Sequence, residues 1–87
     1  MDNFRAIRCI LRYLEKAMDF DYPDMAAISP ERLGITRQRW NAVMAMLCEE
    51  RLVDGLTVKR FADWAAAVFG EYPRITLKGL EYLEDSL

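Results

Sequence analysis

Apolar side chains recur at helical spacing in three stretches of the chain. Phe4, Ile7, Ile10, Leu11, Leu14 and Met18 share one face of a helix expected from about Asn3 to Met18. Asp2 or Asn3 can cap it, and Arg5, Arg8 and Arg12 take the opposite face. Trp40, Val43, Met44 and Leu47 fall at i, i+3, i+4 and i+7 and make the clearest stripe. They predict a second long helix, capped by Thr36 and running to about Arg51. Leu77, Leu80 and Leu83 mark a third, capped by Thr76. Gly79 stands in its first turn, where glycine costs about 1 kcal/mol against alanine. A close approach of that helix to other backbone would account for the glycine.

Between the stripes lie shorter signals. Ser29-Pro30-Glu31 is a compact helix start, with a favoured N-cap, a proline suited to the first position and an acid suited to the positive first turn. Gly34 follows at once and supplies a tight turn. Short helix, glycine turn and capped longer helix together spell a helix-turn-helix. Asp19 to Asp24 is an acidic linker with Phe20 and Tyr22 as apolar anchors and Pro23 as a helix stop. Leu52 to Val58 loses the helical period and reads as a strand entered directly from the helix. Phe61, Trp64, Ala65, Val68 and Phe69 fit a helical stripe ending at Gly70, and equally a twisted hairpin. The expectation for this stretch is a β-wing with an irregular or helical insert. Pro73-Arg74-Ile75 reads as a short returning strand.

The predicted fold class is α+β, mostly helical: a winged helix-turn-helix with a small two- or three-stranded wing. One domain is expected over residues 1–87, with the helix-turn-helix at about 29–51, the wing at about 52–75 and the last helix at about 76–85.

Charge changes this picture locally. The chain has 14 acidic and 12 basic residues and no histidine. Residues 30–60 carry 6 basic and 4 acidic groups, while residues 61–87 carry 2 basic and 5 acidic. A net negative chain does not suit a globally basic nucleic-acid binder, but its middle third is positive. Cys9 and Cys48 form no metal-ligand pattern and are expected as buried, reduced thiols. No metal, cofactor or catalytic residue is expected: histidine, a phosphate-binding glycine loop and a nucleophile motif are all missing from the sequence. Glu49-Glu50 and Glu84-Asp85 are neighbours that point apart on a helix and read as solvated surface. Arginines interrupt the N-terminal apolar stretch, so no signal peptide is expected. With no apolar run of about 18 residues either, a cytoplasmic protein without a membrane partner is expected.

Two motifs carry a family resemblance. Leu33-Gly34-Ile35-Thr36 through Trp40, Val43, Leu47 and Leu52-Val53 looks like a winged-helix core. Ile75-Thr76-Leu77-Lys78-Gly79-Leu80-Glu81-Tyr82-Leu83 is similar to the ending that follows the wing in many bacterial winged-helix proteins. Together, over roughly residues 4–58 and 73–85, they resemble the YjcQ-like family, small winged-helix proteins of Firmicutes and their phages. Arg51 departs from that pattern, which usually ends the second helix with glycine. Residues 61–72 match none of its motifs. The resemblance implies the fold and a prophage or mobile-element setting, and names no ligand.

Two functions fit these residues. The first is DNA binding, as in a transcriptional regulator. The second helix would offer Arg37, Gln38, Arg39 and Asn41 to base edges of duplex DNA, and Lys59 and Arg60 would approach phosphates from the wing. The same polar residues also serve as the solvated face that any amphipathic helix requires. The other is a protein-interaction or homodimerisation module without DNA binding, using Phe61, Trp64, Val68, Phe69 and Tyr72. These aromatics could equally be core.

Overall fold

Each main helix starts where a side chain caps it. A computed structural model describes residues 2–62 and 65–85, so the expectation for Trp64 lies outside the described residues. Helix α1 spans Asn3–Lys16, and the Asp2 carboxylate accepts the Arg5 N–H at 2.8 Å. That bond holds the Asp2 carboxyl below its ordinary range. Helix α2, Pro30–Leu33, is far too short to persist alone. The Ser29 hydroxyl caps it, and Pro30 and Leu33 are buried. Gly34 adopts φ 69° and turns the chain into α3, Arg37–Glu49, where the Thr36 hydroxyl accepts the Arg39 N–H at 3.1 Å. Helix α4 spans Leu77–Asp85. The helix-turn-helix is formed as expected.

The core joins Ile10, Leu11 and Leu14 of α1 with Leu33, Trp40, Val43, Met44, Leu47 and Leu83. Two residues assigned to the α1 apolar face are solvent-exposed. Phe4 lies two residues ahead of Ala6, the first buried residue of the helix, and so points to the other side. Met18 leaves the stripe because the helix tightens into a 3₁₀ turn over Ala17–Asp19, which changes the angle per residue from about 100° to about 120°. The linker aromatics Phe20 and Tyr22 do not anchor the loop either, and both are exposed. A second 3₁₀ turn, Met25–Ile28, follows the linker and buries Ile28.

The exit of α3 preserves the geometry that glycine usually supplies, with arginine in its place. Arg51 sits at φ 62°, a left-handed conformation. Its N–H donates to the Cys48 carbonyl at 3.1 Å, and the Leu52 N–H donates to the Leu47 carbonyl at 2.8 Å. These two bonds form a Schellman closure. The helix itself ends at Glu49, two residues before the expected end.

The expected strand at 52–58 is divided. Strand β1, Val53–Asp54, pairs antiparallel with β4, Arg74–Ile75. The chain then turns at Gly55 and enters a separate hairpin of β2, Thr57–Ala62, and β3, Ala65–Phe69. No helical insert occurs among the described residues of the wing. Cross-strand pairing imposes a period of two, which overrides the helical stripe of the sequence. Val68, paired with Val58, therefore packs against the core, while its neighbour Phe69 is exposed.

Helix α4 is fastened to this frame by Thr76. Its hydroxyl donates to the Arg51 carbonyl at 2.6 Å and accepts the Gly79 N–H at 3.0 Å, and its N–H donates to the Leu52 carbonyl at 3.1 Å. Gly79 lies against that same carbonyl: a Cβ there would stand 2.5 Å from the Leu52 oxygen. Cys9 and Cys48 are free thiols, half-buried rather than fully buried. Burial, with Asp54 and Glu49 near by, pushes the Cys48 thiol up.

Candidate nucleic-acid interface

The first turn of α3 is held from beneath by Trp40. Its indole N–H donates to the Ile28 carbonyl at 2.7 Å in the protein interior. The turn can then present Arg37, Gln38 and Arg39 outward, and all three are exposed. Consecutive helical residues diverge by about 100°, so they do not form a single row. Arg37 lies over the Trp40 ring, 5.4 Å from its centroid. Arg39 leans the other way, and its Nη1 donates to Asn3 Oδ1 at 3.4 Å. Gln38 lies between them in angle. Asn41 is half-buried, so its reach to a base edge is shorter than the sequence implied.

The Asn3 contact, between partners 36 positions apart in sequence, brings the start of α1 beside the start of α3. Arg5, exposed in the first turn of α1, joins the same end of the molecule. No acid occupies the first turn of α3. The positive end of its dipole and the surrounding guanidiniums therefore reinforce one another. From the sequence, Asn3 is only a candidate cap of α1. No local signal marks its contact with Arg39, because the pairing exists only once the two helices pack.

The wing cations behave differently. Arg60 turns back onto the last turn of α3, where Nε and Nη2 grip Glu49 Oε2 and Oε1 at 2.9 and 2.5 Å. This fork holds the Glu49 carboxyl below its ordinary value. Arg60 is therefore committed to Glu49, not presented to phosphates, and Glu49 is not simply solvated surface. Ten residues of helix, about 15 Å, separate Glu49 from Arg39. Lys59 remains exposed, with its ammonium 5.6 Å from the Phe61 ring centroid. The hairpin runs alongside α3, and Ala45, off the apolar stripe, is fully buried. Of the residues assigned to a partner surface, Phe61 and Phe69 are 65% and 54% exposed, and Val68 faces inward. Tyr72 is exposed and stacks on Tyr22, ring centroids 5.1 Å apart.

The ion pairs among the described residues are Arg60–Glu49 and an exposed Arg74–Asp54 pair at 3.5 Å. The arginines of α1 are not drawn into such pairs. No helix among the described residues is long and apolar enough to cross a membrane.

A capped helix-turn-helix followed by a two-stranded wing and a closing helix places the protein in the winged-helix class. A family model described as YjcQ protein matches residues 9–86, and the chain belongs to that family. No curated protein and no solved structure matches it.

Proposed function

We propose that the chain binds duplex DNA by placing the first turn of α3 in the major groove, in the manner of a transcriptional regulator of phage or mobile-element origin. The observation that carries this is the convergence of Arg37, Gln38 and Arg39 with Arg5 at one end of the helix pair, where the first turn of α3 holds no acid and Asp2 is engaged in capping α1. Arginine can grip guanine through two hydrogen bonds, and glutamine can grip adenine in the same way. Arg37, Arg39, Arg5 and Lys59 supply the cationic contacts to the duplex. Arg60 belongs to the scaffold of the wing.

Four such contacts set a log–log salt slope of about −3 to −4. Fluorescence anisotropy on a random-sequence duplex across a salt series measures it. Arg39→Ala should flatten the slope by about 1 and leave the melting temperature unchanged. Absence of binding at the lowest salt would refute DNA recognition. An interaction module without DNA binding is the second reading, favoured by the exposure of Phe61 and Phe69. It predicts no salt-dependent DNA affinity, and loss of partner binding in Phe61→Ser and Phe69→Ser.

A further inference from the structure

Among the described residues, exposed apolar side chains also gather away from the wing. Met18, Phe20, Tyr22 and Tyr72 are 62%, 58%, 68% and 53% exposed. Met18 and Phe20 line a groove of about 300 Å³ between the linker and β4. Tyr22 and Tyr72, stacked on each other, adjoin it as chain neighbours of the lining residues Asp21, Pro23 and Pro73. At roughly 200 Å² per side chain, the four leave about 500 Å² of mainly apolar surface in water. That is near the upper limit for the largest patch on a monomer.

We infer that this groove is a homodimerisation surface, occupied by the same groove of a second copy of the chain. Two features select a second copy. The first is area: two such faces remove about 1,000 Å² from water before the polar rim is counted, which reaches the size of a specific interface. The second is charge. Asp21 and Arg74 both line the groove, one from the linker and the other from β4. A two-fold axis requires a self-complementary face, and opposite charges on opposite walls provide one: Asp21 of each copy meets Arg74 of the other. Arg74 can be recruited, because its bond to Asp54 is long and both side chains are more than two-thirds exposed. The groove lies at the C-terminal end of α1, whereas Asn3 and Arg39 meet at its N-terminal end. A 14-residue helix separates the two by about 20 Å. Dimerisation would therefore leave both α3 first turns open.

Sedimentation equilibrium on the full chain at about 10 and 500 μM tests this without involving DNA, so failure here is distinct from failure of DNA recognition. A monomer–dimer equilibrium with a micromolar constant is expected. The double variant Phe20→Ser/Tyr22→Ser should weaken it at least about 100-fold with an unchanged thermal melt, since both residues are exposed. Asp21→Arg and Arg74→Asp should each weaken it about 10-fold, and combining them in one chain should restore it. The swap keeps the test valid should the aromatic variant fold poorly. A wild type that stays monomeric at both concentrations would overturn the inference. So would a dimer that survives Phe20→Ser/Tyr22→Ser, dissociates in Phe61→Ser/Phe69→Ser, or is not restored by the charge swap.

Discussion

Replacing Gly79 with alanine sets two physical effects against each other. Helix propensity alone predicts that Gly79→Ala stabilises the protein by about 1 kcal/mol, because glycine is a poor helix former. The tertiary structure predicts the opposite. The new methyl would stand 2.5 Å from the Leu52 carbonyl oxygen and 2.7 Å from Ile75 Cγ1. The side chain of Ile75 can shift, but the Leu52 carbonyl cannot move freely. It accepts the Thr76 N–H and lies just beyond the Schellman closure of α3. Relief requires α4 to withdraw by close to 1 Å, at an overpacking cost of about 1–3 kcal/mol. The Thr76–Leu52 bond lengthens as it does so, for about 1 kcal/mol more. Set against the propensity gain, the net loss is about 2 kcal/mol. For a domain of this length that lowers the melting temperature by roughly 10 °C. Urea unfolding followed by far-UV circular dichroism measures the difference, with Lys78→Ala, exposed on the same helix, as control. Adding Ile75→Ala should not restore stability, since the backbone contact remains. A Gly79→Ala protein as stable as the wild type, or more stable, would refute the close approach.

Three further outcomes follow from individual contacts. Arg51→Gly removes a left-handed arginine from the α3 exit; a gain of up to about 1 kcal/mol is expected in the same urea assay, and a clear loss would show that the conformation carries no strain. Because the Arg60 fork lowers the Glu49 carboxyl below its ordinary 4.5, its contribution is present above that pH and fades as pH falls through the depressed folded value. Carbon-detected NMR titration should therefore place the Glu49 midpoint below 4.5 in the wild type and return it there in Arg60→Ala; equal midpoints would dissolve the fork in solution. Burial raises the Cys48 thiol, so iodoacetamide at neutral pH should modify it slowly in the folded protein and quickly in urea. Equal rates would place that thiol in open solvent.

Elements that local bonds decide are legible in the residues alone. Ser29, Thr36 and Asp2 cap through groups within three residues of themselves, Gly34 turns the chain alone, and the α3 stripe needs only a 3.6-residue period. These could be read in order along the chain, and with them the helix-turn-helix and the position of the family motifs. Gly79 was legible as an anomaly, though not the carbonyl it clears. Which polar groups remain available to a partner depends on packing between distant segments. Arg39 meets Asn3 across 36 residues, Arg60 meets Glu49 across 11, and Tyr22 stacks on Tyr72 from the other end of the chain. A charge or a ring written in sequence is the same symbol whether it faces solvent or a neighbour. Only packing brings distant segments together, and that is why the first turn of α3 stays open, the wing arginine is spent on its own scaffold, and the linker aromatics lie exposed around a groove.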